Sequence, residues 1–316
     1  MDEQRKILMI GNKDSGKTTY MASAYGIMKN GKFGFWVYGD NDSDAWLMKL
    51  YDQIKTGQYP IPTDKRGKFS FDLYYYQQKV LSFEWIDYFG GVITESRSDE
   101  LLTDIDEADA IMIFLEAPAL AENKKSITQF RRIQSLITEK LTSMDRHFDV
   151  IVVITKYDLV GESIPFEKVC EPLNNLKTGL STRDNIYFKI VPVSCTASGF
   201  VNVDLPLIDI LHTGLGMNYL SHAYLANAHA EKAVDFNNRR GVIDWAVSRL
   251  FGAKTNGELA EEHRQAALAE QKLWEKLKTP FEQLDKYRKN YNVEIPVAKK
   301  QNTSSPVNRR SRFRNM

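Results

Sequence analysis

Gly11, Gly16, Lys17 and Thr18 stand in the spacing G-x-x-x-x-G-K-[ST], with Asn12, Lys13, Asp14 and Ser15 in the four variable positions. Each fixed position has a chemical use. The glycines let successive backbone N–H groups turn inward onto anionic oxygens, the lysine adds a charge for the outer phosphates, and the Thr18 hydroxyl can ligate Mg2+. Such a turn cradles phosphate where a strand runs into it and a helix leaves it. Residues 6–10 read as a buried strand and residues 18–25 begin a helix, so the spacing implies a nucleoside triphosphate. Its expected contacts are Asn12, Lys13, Asp14, Ser15, Gly16, Lys17, Thr18 and Thr19, with Lys17 also the expected catalytic charge.

Which triphosphate is bound depends on the loops after later strands. Thr155-Lys156-Tyr157-Asp158 follows the apolar run 150–154. There the Asp158 carboxylate can accept from both the ring N–H and the exocyclic amine of guanine, a pattern adenine does not offer, while the Lys156 stem lies along the base. Ser194, Cys195 and Thr196, after the next strand, could lend backbone N–H groups to the guanine oxygen. Asp87-Tyr88-Phe89-Gly90 ends another strand, where Asp87 can meet Mg2+ through a water and the Gly90 N–H can sense a γ-phosphate. Thr63, in a Pro-flanked segment, is expected to close its hydroxyl onto the same metal.

An α/β sheet has to hold these loops. A short strand over 33–38 and a helix over 43–54, with Trp46, Leu47, Leu50 and Tyr51 on one side, form an insertion after the first helix. A turn-rich run over 57–67 leads into two tightly joined segments, 69–75 and 80–86, that must pair antiparallel. A glycine-rich loop and an amphipathic stretch around Leu101, Leu102 and Ile105 follow. Apolar runs at 110–115, 150–154 and 187–193 alternate with helical patterns over 126–141 and 166–176, and 205–215 reads as a closing helix whose end Gly214 and Gly216 mark. This order predicts a mostly parallel P-loop NTPase sheet with one antiparallel edge strand, 69–75, and helices on both faces. The expected divisions are a nucleotide-binding domain over 1–216, a helical extension over 217–298 and a disordered basic tail over 299–316.

At 316 residues and 43% hydrophobic content the chain can build a substantial core, and a net charge of +1 exerts no global pull toward nucleic acid or membrane. Cys170 and Cys195 are the only cysteines, which argues for a reducing compartment over a disulfide framework. The charged first residues run directly into the first strand, leaving no room for a secretory signal. No run approaches the roughly 18 apolar residues of a membrane span. A soluble, cytoplasmic protein is expected.

With GNKDSGKT, Thr63, DYFG, TKYD and the SCT loop in this order, residues 5–215 resemble the Ras-like, translation-factor-class P-loop GTPases. The resemblance implies GTP and GDP as ligands, Mg2+ as cofactor and a switch that follows the γ-phosphate. Thr155 stands where asparagine is commoner, a variant also seen in the dynamin-like branch. The inserted strand and helix look similar to bacterial double-GTPase-type proteins. Ras-like enzymes place a water-orienting glutamine after the glycine of the third motif, and here that position is Gly91, so slow or partner-assisted hydrolysis is expected. Asp14, Glu95, Arg97 or a group supplied in trans could substitute, and the Lys13 stem could obstruct an incoming arginine. A slow GTPase switch, a non-hydrolysing GTP-binding scaffold and an ATPase are the three readings, in that order.

Beyond residue 216 the chain is helical: Ala-rich over 219–234, apolar on one side over 241–251 and highly charged over 258–291, where Pro280 is expected to break the helix. Leu273, Leu277, Phe281 and Leu284 form a stripe that can seat against a helix of this chain or of a protein partner. The tail holds Lys299, Lys300, Arg309, Arg310, Arg312 and Arg314 without an acid. That tail and residues 241–254 allow weak contact with a membrane surface or an acidic partner, and there is no strong nucleic-acid signal. His147, His212, His222, His229 and His263 form no metal-binding pattern.

Overall fold

In the computed structural model, which describes residues 4–61, 67–87, 98–122, 126–160, 164–239, 241 and 254–296, every residue of strand β6 (Phe148–Thr155) is buried. A strand apolar along its whole length belongs in a sheet covered on both faces. Four others run parallel to it: β1 (Arg5–Gly11), β4 (Gln78–Asp87), β5 (Ala110–Glu116) and β7 (Ile186–Pro192). The antiparallel member is β3 (Gly67–Tyr75), and β2 (Phe35–Gly39) pairs outside it, giving the order β2-β3-β4-β1-β5-β6-β7. The inserted strand is thus a seventh member of the sheet. A separate hairpin joins β8 (Ser194–Thr196) to β9 (Gly199–Val201).

Alternation along the strands divides the core between the two faces. Ile7 and Met9 of β1 join the aromatic cluster of Tyr20, Phe71, Phe83, Trp85 and Phe114, whereas Leu8 and Ile10 join Ile105, Ile111, Ile113, Leu141 and Leu176. The first face is covered by α1 (Lys17–Lys29) and α8 (Leu205–Asn238), with α2 (Asn41–Lys55) beyond α1. The second is covered by α3 (Ser98–Glu107), α5 (Ser126–Thr142), α6 (Phe166–Cys170) and α7 (Asn174–Ser181). The short α4 (Ala117–Ala121) follows β5, and α9 (Asn256–Asn290) lies along α8. Local chemistry sets several of these ends. The Asp40 carboxylate caps α2 by accepting from the Ser43 N–H at 2.8 Å, and Thr255 with Glu258 forms a capping box on α9.

Two expected helix breaks do not occur. The helix expected to stop at Gly214 and Gly216 runs on to Asn238, so the expected boundary after residue 216 falls inside α8. Those glycines serve close packing: a Cβ on Gly214 would lie 2.5 Å from the Arg5 side chain, and one on Gly216 would lie 2.9 Å from the Phe281 ring. Pro280 likewise sits inside α9. A proline cannot donate to the carbonyl four residues back, here that of Lys276, and the Gln78 side-chain amide donates to that oxygen at 3.0 Å instead. The vacated acceptor becomes a docking point for the β3–β4 turn.

The apolar stripe of α9 packs within the chain. Leu277, Leu284 and Tyr287 are buried in the same cluster as Trp85 and Ile208, Phe281 rests on it, and Leu273 is left exposed. His222 pairs with Glu270 at 2.6 Å and His229 faces His263 at 2.9 Å, both across α8 and α9. Among the described residues no helix is long and apolar enough to cross a membrane. Residues 242–253 and the basic tail lie outside the described residues.

Because Leu284 is wholly buried between α9 and the sheet face, Leu284→Ala should lower unfolding stability by about 2–5 kcal/mol, the cost of a lost side chain plus the cavity it leaves. Urea denaturation measures this, and an unchanged midpoint would show that α9 adds nothing to the core.

Candidate functional site

The glycine-rich turn sits at the carboxyl end of β1, with β4 on one side and β5 on the other. Asp14 and Gly16 adopt left-handed backbone conformations, φ 64° and 86°, which roll the chain from strand into helix. Glycine reaches that geometry without Cβ strain and asparagine or aspartate tolerate it best among the rest. The helix begins at once, its first long-range turn closed by the Tyr20 N–H on the Gly16 carbonyl at 2.8 Å. The N–H groups of the first turn consequently face the mouth of the sheet, where ligands bind in open α/β folds.

Lys17 is buried and donates to the carbonyls of Gly11 at 3.1 Å and Asn12 at 3.3 Å. Burial holds its ammonium below the usual lysine range, against the opposing pull of Asp87 and Asp14. Asp87 ends β4 and is 4% exposed. Burial pushes its carboxyl up to about 6, with Lys17 pulling the other way. Its Oδ1 is buried with no hydrogen-bond partner among the described residues, as is the Ser15 hydroxyl. A buried carboxylate oxygen without a protein donor is satisfied by a hydrated cation, so Asp87 with the Thr18 hydroxyl fits Mg2+.

One side-chain hydrogen bond ties the later loops to this turn, and a second ties those loops to each other. The Thr155 hydroxyl, at the end of β6, donates to the Ser15 carbonyl at 2.8 Å, with the Leu115 carbonyl of β5 at 3.3 Å. The Ser194 hydroxyl donates to Asp158 Oδ1 at 2.7 Å. Lys156 takes a left-handed conformation, φ 54°, and its ammonium pairs with Glu116 at 3.0 Å. Asp158 follows in a single 3-10 turn, Tyr157–Leu159.

The result is one cleft of about 480 Å³. Lys13, Asp14, Ser15, Gly16, Lys17, Thr18 and Thr19 line it from the glycine-rich turn, and Thr155, Lys156, Asp158, Cys195 and Thr196 line it from the end of β6, the turn after it and β8. Asn12 faces a smaller neighbouring cavity, and Ser194 stands behind the wall, holding Asp158. Thr63, Gly90, Gly91, Glu95 and Arg97 lie outside the described residues. Five wall residues were not foreseen: Leu159, Val193 and, from the turn-rich run before Thr63, Tyr59, Pro60 and Ile61. The one sequence signal for the last three was an exposed aromatic beside two prolines. Glu116, which aims Lys156, had none, because its partner is 40 residues away.

No protein-family model matches the chain, and no curated protein matches it in sequence. Among solved structures the chain is similar to one in the signal recognition particle receptor SRb-GTP/SRX complex from Chaetomium thermophilum, 14% identical with a TM-score of 0.39, over 63% of this chain and 94% of that one. It is also similar to the Ski7 GTPase-like domain of S. cerevisiae bound to GTP, 15% identical with a TM-score of 0.39, over 60% of this chain and 42% of that one. At those values, what the site can bind follows from its own residues.

Proposed function

We propose that the chain is a GTP-binding switch with slow or partner-assisted hydrolysis, whose helical extension reports the nucleotide state to a protein partner. One observation carries this reading: a turn of phosphate-cradling sequence and a carboxylate suited to guanine line a single cleft. The turn's N–H groups and Lys17 meet the phosphates, and Asp158, braced by Ser194, accepts from the two N–H groups that guanine presents and adenine does not. That difference disfavours an ATPase. Mg2+ held by Thr18 and Asp87, with Thr63 as an added ligand in the triphosphate state, would neutralise charge on the β- and γ-phosphates. In hydrolysis, water attacks the γ-phosphate in line while Lys17 and the turn's amides stabilise the developing charge. Asp14, in the cleft wall, is the described side chain best placed to assist.

A second reading, a scaffold that holds GTP without cleaving it, is favoured by one sequence feature. Gly91 occupies the position from which a glutamine would orient water. Single-turnover hydrolysis with and without potassium separates the two. Partner capture through α8 and α9, and weak membrane contact through 241–254 or the basic tail, belong to the same proposal. So does action in the cytoplasm.

Lys17→Ala should weaken GTP binding by about a hundredfold or more, the scale of a lost charge-assisted contact. Calorimetric titration of folded variant measures it, and unchanged affinity would remove the phosphate site. Asp158→Asn replaces an acceptor with a donor at one oxygen, so GTP should bind about tenfold or more weaker while xanthosine triphosphate gains. Competition between the two nucleotides reads the preference, and equal ratios in variant and wild type would remove the guanine assignment.

Asp87 supplies a pH dependence in the nucleotide-free protein. Its folded pKa, about 6, lies above the ordinary value of 3.8. The folded state therefore holds the extra proton between those values, and stability contributed below them is lost as pH rises to about 6. Asp87→Asn should flatten that part of the melting-temperature profile, leave the variant the more stable at pH 7, and weaken the magnesium dependence of nucleotide retention. A profile identical to wild type would show that Asp87 is already solvated.

A further inference from the structure

We propose that Asn202 is a positioning residue for purine recognition: it clasps the segment after α9 to the strand end that carries the base loop, so the carboxyl-terminal extension tunes guanine affinity and selectivity. The inference rests on the reading of the cleft as a guanine nucleotide site. Asn202 follows β9 and is 2% exposed. Its side-chain amide nitrogen donates to the Pro192 carbonyl at 2.7 Å and to the Glu294 carbonyl at 2.6 Å, and its Oδ1 accepts from the Glu294 N–H at 3.1 Å. Three backbone groups, one on Pro192 and two on Glu294, thus meet on one buried side chain.

The clasp adjoins the base loop directly. Pro192 ends β7, the Val193 N–H donates to the Ile154 carbonyl at 2.7 Å, and Ser194 holds Asp158. A chain of contacts therefore runs from Glu294 through Asn202 and residues 192–194 to the carboxylate that faces guanine. Asn202 itself does not line the cleft, so its influence is exerted through that wall.

A second tether ties the same connector to the same end of the extension. The buried carboxylate of Asp204 accepts from the Tyr287 hydroxyl and pairs with Lys32 at 3.2 Å, while the Phe33 ring lies 4.3 Å from that of Tyr287. Lys32 and Phe33 lie just beyond α1, the helix that begins at the phosphate turn. The end of α9 therefore touches both the connector after β9 and the loop that follows α1.

Asn202 has φ 56°, a left-handed conformation that asparagine and glycine accept. Asn202→Gly consequently deletes the clasp without straining the backbone, and Asn202→Asp keeps the shape while turning two donations into repulsions between oxygens. In the full-length protein, both should release a fluorescent GDP about tenfold faster than wild type. Both should also narrow the preference for GDP over inosine diphosphate, which lacks the amine Asp158 accepts, and speed amide hydrogen exchange at 193–196. Failure of the wild type to retain GDP would overturn the guanine reading and with it this residue's part in base choice. Retention with unchanged preference and exchange in both variants would overturn the clasp alone. Faster exchange with an unchanged preference would reduce Asn202 to packing, and equally overturn the proposal.

Discussion

One hydroxyl keeps the two halves of the cleft in register. Thr155 stands at the end of β6, two strands away from β1, yet its Oγ reaches the Ser15 carbonyl in the phosphate turn across the end of β5. That reach requires β1, β5 and β6 to be parallel and their ends level, which in turn requires both faces of the sheet to be covered by helices. The division of Ile7 and Met9 from Leu8 and Ile10 between two apolar clusters meets this condition.

The site concentrates polar groups where water is scarce, and the balance of burial and charge decides their state. Lys17 and Asp87 are both buried and pull each other's ionisation in opposite senses to desolvation. Either alone would be costly inside the sheet; together each offsets part of the other's cost. The loop after β6 is built differently. Asp158 and Lys156 are partly exposed, and each is aimed by one side-chain partner, Ser194 and the half-buried Glu116. Buried charge therefore sits beside the glycine-rich turn, and hydrogen-bond direction sets the aim of Asp158.

The helical extension is part of the same core. α8 continues without interruption out of the sheet-covering layer, and α9 returns along it to bury Leu284 and Tyr287 beside the sheet. Its two helix-breaking residue types have been absorbed by packing. Glycines 214 and 216 make room for Arg5 and Phe281, and the carbonyl freed by Pro280 is taken by Gln78.

Much of this protein was legible before folding. Apolar runs of five to eight residues marked the strands, and the glycine-rich turn with TKYD marked the cleft, because strand periodicity and phosphate-binding geometry are properties of neighbouring residues. The amino-acid order could not disclose that β2 would join the sheet, that Gly214, Gly216 and Pro280 would lie within helices, that Glu116 would pair with Lys156, or that Asn202 would bond Pro192 and Glu294. Each of those depends on a partner supplied by distant chain. Propensity assigns glycine and proline a local cost, whereas the tertiary structure decides whether close packing or a borrowed donor repays it.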